Sequence, residues 1–255
     1  MSARIHIKMR NGHVLVGSDA HYWPGKSSTA HRAFVKFADM YRPEILVQNG
    51  DVIDAATISR FPPIGWEKRP TIAQELAVAR ERLQEIEHAS PASRFIWTLG
   101  NHDARFERRL ATVAPEFAGV AGIHLRDHFP AWEPAWSVAV GGRDGVVIKH
   151  RFKGGTNAAR QNAVSTGRSV LTGHLHSLKV SPLTDDNGTR FGVDGGMLAD
   201  THGPQFTGYL EDNTRDWRSG FVLLTFVNGK LLWPEVIHVV KPGTIEFRGK
   251  LIIVK

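Results

Sequence analysis

Residues 97–106, "WTLGNHDARF", carry an apolar run that stops at Gly100 and at once presents an amide, an imidazole and a carboxylate in Asn101, His102 and Asp103. A strand that ends this way delivers polar side chains to the rim of a sheet. The same transition recurs four more times. Val14-Leu-Val-Gly-Ser gives way to Asp19-Ala-His21, Ile45-Leu-Val-Gln to Asn49-Gly50-Asp51, Val146-Val-Ile-Lys to His150, and Val170-Leu-Thr to Gly173-His174-Leu175-His176. In an open α/β sheet the carboxyl ends of the strands converge on one crevice, so residues remote in sequence are expected in one place. Gly50, Gly100 and Gly173 suit the sharp exits from strand to loop that such side chains require.

Working outward, the first half alternates strand and helix. An amphipathic helix is expected from Thr29 to Tyr41, with Ala30, Ala33, Phe34, Phe37 and Tyr41 on one face and Pro43 beyond its end. A second is expected from Ile72 to about His88, where Thr71 and Gln74 have capping-box spacing and Ile72, Leu76, Ala79, Leu83 and Ile86 form the buried stripe. With the strands around Val14, Ile45 and Phe95 this is a βαβαβ order, hence parallel strands with right-handed crossovers. The second half reads as strands at Ser137-Val-Ala-Val, Val146-Val-Ile-Lys, Ser169-Val-Leu-Thr, Thr189-Arg-Phe-Gly-Val, Gly220 to Phe226 and Leu231-Leu-Trp. Asn228-Gly229 between the last two signals a tight hairpin. The expectation is α/β: two mixed sheets packed face to face with helices outside, the alternative being one large mixed sheet. No linker divides the 255 residues, so one domain is expected over residues 1–255.

Composition narrows the chemistry. Cysteine is absent, which excludes a disulfide framework, a thiolate metal ligand and a cysteine nucleophile. Any metal must be held by nitrogen and oxygen. No apolar run approaches the length of a membrane span and the first residues lack the core of a signal peptide, so the expectation is a cytoplasmic protein with no membrane partner. Thirty-two Lys and Arg against 25 Asp and Glu give a formal charge of +7, an excess that attracts polyanions or phosphorylated small molecules, or that decorates a solvated basic surface.

Two carboxylates, four imidazoles and an amide at strand ends make a donor set large enough for two divalent ions if one carboxylate bridges them. Taken singly, each piece is common. Asp200-Thr201-His202 has the D-x-H spacing without a strand before it and is read as loop. His124 and His128 stand one helical turn apart and are read as a solvated helix face, while His6, His13, His31 and His88 are read as structural or surface residues.

The ordered series is more specific. D-x-H at Asp19 and His21, G-D-x-x-D at Gly50 to Asp54, G-N-H-D at Gly100 to Asp103, His150 after a strand, and G-H-x-H at Gly173 to His176 together resemble the calcineurin-like metallophosphoesterase superfamily. The resemblance implies a four-layer αββα sandwich without a separate capping domain. It implies that Asp19, His21 and His176 hold one metal, that Asn101, His150 and His174 hold the other, and that Asp51 bridges the two. Manganese is the leading expectation, with iron, zinc and nickel as alternatives. The activity implied is hydrolysis of phosphodiesters or phosphomonoesters by a metal-bridging hydroxide attacking phosphorus, with no protein nucleophile. His102, unable to ligate in the same direction as Asn101, takes the role of general acid, and Asp54 that of the carboxylate orienting it. Asp103 is expected to fix the loop.

Departures from the family pattern bear on substrate. Ala55 and Ala56 follow Asp54 where the phosphoprotein phosphatases place Arg-Gly, which disfavours that activity, and Arg151 follows His150 where Gly is frequent. Tyr22, Trp23, Arg105 and Arg151 are candidates for substrate binding. So is the segment Thr57 to Arg69, whose Phe61, Trp66, Lys68 and Arg69 interleave aromatic rings with cations. Arg105, Arg108 and Arg109 share a helical face, and the long segment Met197 to Ser219 is a candidate lid. Nucleotides or nucleic acids are the favoured substrates on charge. A nucleic-acid-binding module that keeps the fold without turnover is the alternative, and it would need a broken ligand set.

Overall fold

A computed structural model describes residues 2–25, 27–60, 63, 65–210 and 215–255, with the backbone alone at residues 209 and 210. The first part of the chain runs β1 (Ile5–Ile7), β2 (Gly12–Gly17), α1 (Thr29–Tyr41), β3 (Ile45–Gln48), α2 (Ile72–Ala89), β4 (Arg94–Thr98), α3 (Asp103–Val113), α4 (Leu125–His128) and β5 (Glu133–Ala135). It continues with β6 (Val138–Val140), β7 (Val146–Ile148), α5 (Ala158–Thr166), β8 (Ser169–Thr172), β9 (Lys179–Asp185), β10 (Gly188–Asp194) and α6 (Thr207–Leu210). The last strands are β11 (Gly220–Val227), β12 (Lys230–Leu231), β13 (Glu235–Lys241), β14 (Thr244–Phe247) and β15 (Lys250–Ile253).

The strands form two mixed sheets, as expected, and not one. The larger has the order β15-β14-β13-β11-β2-β3-β4-β5, with β12 paired to β11; the smaller has the order β1-β6-β7-β8-β10-β9. Parallel pairing of β2, β3 and β4 fulfils the βαβαβ reading, with Gly17 beside Gln48 and Gln48 beside Trp97. In the smaller sheet β7 and β8 are also parallel, Ile148 beside Leu171. Asn228 and Gly229, at φ 50° and 82°, make the tight turn between β11 and β12.

Alternation along the strands separates two cores. Val14, Val16, Val47, Val222 and Leu224 point inward between the sheets, against Val138, Ile148, Leu171 and Val193 of the smaller one. Leu15, Leu46, Trp97 and Phe221 point outward and are covered by Phe34 and Phe37 of α1 and by Leu83 and Ile86 of α2. On the far side α5 lies so close to β10 that a Cβ at Gly192 would stand 1.8 Å from the Ala159 carbonyl oxygen. Small buried residues, Ala158, Ala159 and Ala163, make that approach possible. The layers are therefore helix, sheet, sheet, helix.

Both long helices have the ends their sequences encode. Ser28 accepts the His31 amide at the start of α1, and Thr71 and Gln74 complete the capping box of α2. No helix among the described residues is long and apolar enough to cross a membrane.

Candidate metal centre

The carboxyl ends of β2, β3 and β4 from the larger sheet and of β7 and β8 from the smaller one meet at one edge of the sandwich, and their loops are laced together. The amides of Asp19, His21 and Tyr22 donate to the carbonyls of Gly50, Asp51 and Val52, and the Gly173 amide to that of His150. Asp19, His21, Asp51, His174 and His176 all have φ between 40° and 72°, a left-handed backbone that is uncommon for residues with a Cβ. Such strain persists only where the surroundings over-determine it, and here it sits on five of the seven candidate ligands.

The glycines act through space more than through turning. A Cβ at Gly100 would lie 2.0 Å from Asp51 Oδ1 and one at Gly173 would lie 2.5 Å from Asp19 Oδ2. Only Gly50 also has a positive φ, 81°, and its missing Cβ would meet the His150 ring at 2.4 Å. The turn-based reading of Gly100 and Gly173 is thus replaced by one of close approach.

Asp103 secures the arrangement. Its carboxylate accepts the amides of Asp51, Val52 and Gly100 at 2.8–2.9 Å and the Trp97 indole N–H at 2.9 Å. Asn49, named in its motif but given no role from the sequence, donates from its amide to Ser18 Oγ, accepts from Thr98 Oγ1 and offers its carbonyl oxygen to His150 Nδ1 at 2.8 Å. Asp194 was likewise missed; it accepts the amides of Ser177 and Gly196, at 2.9 and 3.0 Å, and steadies the loop carrying His174 and His176. The signal was present, since Asp194-Gly195-Gly196 ends a strand just as the other motifs do.

Potential ligand atoms of Asp19, His21 and His176 lie within 4.8 Å of one another, as do those of Asp51, His150 and His174. His150 Nε2 is 3.1 Å from Asp51 Oδ2, and His176 Nε2 is 3.1 Å from Asp19 Oδ1. Two ligands of one cation with bonds of ~2.1 Å stand about 3.0–3.4 Å apart, so the spacing fits. His21 Nε2 and Asn101 Oδ1 are buried without a hydrogen-bond partner among the described residues, a costly arrangement unless a cation accepts their electron pairs. The donor set, all nitrogen and oxygen with two carboxylates, suits divalent ions.

Electrostatics agree. Burial opposes ionisation of Asp51, yet His150 and His102 hold its carboxyl well below the usual range, and His176 and His150 do the same for Asp19. Burial also opposes charge on His150, but Asp51 and Asp19 push it up to about 10. His174 goes the other way, to about 4, because burial and the neighbouring His150 both disfavour its cation. Buried carboxylates that stay ionised attract positive charge, and neutral His174 is ready to donate an electron pair.

Beside this cluster, Asp54 Oδ1 is 2.9 Å from His21 Nδ1 and 3.1 Å from His102 Nδ1. Asp51 accepts the His102 amide at 2.8 Å. The His102 ring, pushed up to about 9 by Asp51 and Asp54 against the penalty of burial, faces a cavity of about 870 Å³. Trp23 and Arg105 line that cavity; Arg105 donates to the Asp54 carbonyl at 2.9 Å and stands 3.1 Å from His102 Nε2.

Other candidates fall elsewhere. Tyr22 is in the core, its hydroxyl 2.9 Å from His31 Nδ1, because the residue after His21 turns toward α1. Arg151, Arg108 and Arg109 are exposed and do not line the cavity, whereas Gly155 and Thr156 of the Arg151 loop do. Of the Thr57 to Arg69 segment, Arg69 reaches the cavity, Trp66 is fully exposed, and Phe61 lies outside the described residues. His124 precedes α4 and His128 ends it, with His124 3.6 Å from Glu107, and His202 contacts Thr201; none of the three lines the cavity.

A two-sheet sandwich with a pair of His/Asp clusters at its strand ends fits a binuclear divalent metal site. A profile of the calcineurin-like phosphoesterase family matches residues 12–204, and the chain belongs to that family. It is a metal-dependent hydrolase of phosphate esters. It is 26% identical over 228 residues to the gene 54 protein of Mycobacterium phage D29, covering 82% of this chain and 87% of the phage protein. Among solved structures it is similar to wild-type Vps29 of Entamoeba histolytica complexed with Zn²⁺, at 13% identity and a TM-score of 0.48, covering 95% of this chain and 99% of that one. It is also similar to a dimetal phosphatase from Danio rerio, at 10% identity and a TM-score of 0.45, covering 95% and 98%.

Proposed function

We propose that the protein hydrolyses phosphodiesters or phosphomonoesters of nucleotide or nucleic-acid character. Asp19, His21 and His176 hold one divalent ion, Asn101, His150 and His174 hold the other, and Asp51 is shared. Manganese is the first candidate. When bound, such ions neutralise phosphate oxygens and lower the pKa of a water at the site. The observation that supports the reading is the gathering of Asp19, His21 and His176 in one cluster and of Asp51, His150 and His174 in another, with His21 Nε2 and Asn101 Oδ1 buried and without a hydrogen-bond partner among the described residues.

The remaining steps belong to the chain. His102 Nδ1 donates to the Asp54 carbonyl at 2.9 Å, which turns Nε2 toward the cavity to deliver a proton to the leaving oxygen. Asp54 holds the rings of His102 and His21 together, so the proton donor and a metal ligand move as one unit. Arg105 brings a positive charge to the same wall. The cavity, far larger than a phosphate needs, combines Trp23 and Trp217 with Arg69 and Lys179, a lining that suits a base and its phosphates.

Assays of bis-p-nitrophenyl phosphate and p-nitrophenyl phosphate with Mn²⁺, repeated with a chelator, test the reading. Hydrolysis that disappears on chelation is expected, and no turnover with any divalent metal would defeat it. His102→Ala is expected to lower kcat by about 10²- to 10⁴-fold with metal content unchanged. Loss of metal in that variant would reassign His102 to the ligand set.

A further inference from the structure

We infer that Phe206 and Trp217, which offer no ligand atom, orient the His176 imidazole and thereby set the affinity of the Asp19, His21 and His176 position for its cation, leaving the other position untouched. The inference rests on the two-cation reading above.

Three imidazoles in the cluster are buried, and two of them are aimed by a hydrogen bond at the far nitrogen. His21 Nδ1 meets Asp54 Oδ1 at 2.9 Å and His150 Nδ1 meets the Asn49 carbonyl at 2.8 Å, so that Nε2 of each faces the site. Metal-binding histidines are usually fixed in this way. His176 is not. Its Nε2 stands 3.1 Å from Asp19 Oδ1, but its Nδ1 is buried with no hydrogen-bond partner among the described residues.

Two aromatic rings take the place of that bond. Trp217 packs edge-on against His176 with centroids 4.5 Å apart at 64°, and Phe206 lies 5.9 Å away at 55°. Phe206 and Trp217 pack on each other at 5.2 Å, and Phe206 also meets the His21 ring at 5.2 Å and 77°. An imidazole wedged this way is held on its Nδ1 side by shape, while Asp19 holds its Nε2. Among the described residues the ring paired with His150 is the His174 imidazole, with centroids 5.4 Å apart, and no Phe, Tyr or Trp.

Both rings come from the segment between β10 and β11, beyond the residues matched by the family profile. Its neck is closed by the Met197 amide on the Arg218 carbonyl at 3.2 Å and the Gly220 amide on the Met197 carbonyl at 2.9 Å. The Arg218 amide donates to the His176 carbonyl at 2.7 Å, which locks the Trp217 end beside the imidazole. Phe206, only 4% exposed, clusters with Met197 and Ala199. The segment expected to act as a lid is thus also a brace for one cation position.

The test is Mn²⁺ titration of the full chain by calorimetry, with the electron paramagnetic resonance of coupled Mn²⁺ pairs as a second readout. Wild type is expected to bind two ions. Trp217→Ala and Phe206→Ala are expected to weaken one of them about 10- to 100-fold and to lose the coupled signal at limiting metal, while the other keeps its affinity. Trp217→Phe and Phe206→Leu, which retain bulk, are expected to recover most of the loss. Two ions bound by both alanine variants at wild-type affinity would overturn the inference alone, as would equal weakening of both positions. Fewer than two ions in wild type would overturn the two-cation reading, and the inference with it.

Discussion

At the scale of single residues, the candidate ligands Asp19, His21, Asp51, His150, His174 and His176 are delivered to the two clusters and Asn101 to the wall of the cavity, because each sits within four residues of the carboxyl end of a strand and the strand fixes where it goes. Tyr22 and Arg151 follow ligands directly, yet neither reaches the cavity. Proximity in sequence to a ligand says nothing about which way the next Cβ points in a left-handed turn. Phe206 and Trp217 gave no periodic signal in a segment rich in Gly, Asp and Thr. Glu75 was equally invisible, since it looked like an ordinary polar residue in the first turn of α2. It is buried, accepts the amides of Ala55 and Ala56 at 2.6 and 3.1 Å, and so supports the loop that carries Asp54. Burial, reinforced by the nearby Asp54 charge, pushes its pKa up to about 7 from 4.5. The unfolded chain therefore loses this proton first, and wild-type stability falls as pH rises from about 4.5 through 7. Glu75→Gln does not titrate, so its melting temperature relative to wild type is expected to be higher at pH 8 than at pH 5, as paired thermal melts would show.

Among the elements, α1, α2 and the strands β2, β3 and β4 were legible almost to the residue, since their apolar periods are clean and their caps conventional. Elements with weaker periods were not. β9 contains Pro182 and lies at the edge of the smaller sheet, where a missing amide is tolerated and one face meets solvent. α5 buries Ala158, Ala159 and Ala163 instead of large apolar residues, so its stripe has no amplitude for a pattern search to find. β13 to β15 have exposed residues at Val240, Leu251 and Ile253, which blurs alternation. Where the cap is explicit the energetics are too. Thr71→Ala removes the half of the α2 capping box in which Thr71 Oγ1 accepts the Gln74 amide, leaving the residue-71 amide to donate to Gln74 Oε1, and is expected to cost about 1 kcal/mol in urea denaturation.

For the molecule as a whole, the α/β class followed from the order of elements, the choice of two packed sheets over one large sheet rested on the family resemblance, and which strands share a sheet followed from neither. Pairing β2 with β11 joins segments some two hundred residues apart, and no local pattern encodes that. The cation site inherits this long-range closure, since its ligands join both sheets. Divalent ions bound to the folded chain alone stabilise it by mass action, about 4 kcal/mol at a thousandfold excess over Kd. Chelation is expected to lower the melting temperature, and scanning calorimetry with Mn²⁺ and with chelator would measure the shift.

Since three ligand-bearing loops hang from one sheet and two from the other, the sandwich behaves as a caliper whose jaws are held apart by aliphatic filling. Ile148 and Leu171 lie in that filling, two and three residues before His150 and His174. Leu171→Ala and Leu83→Ala, the latter beneath α2, should each cost about 2–5 kcal/mol. At saturating Mn²⁺, with the two variants matched for fraction folded, Leu171→Ala is expected to lose more turnover, because it resets the jaws while Leu83→Ala only loosens the handle.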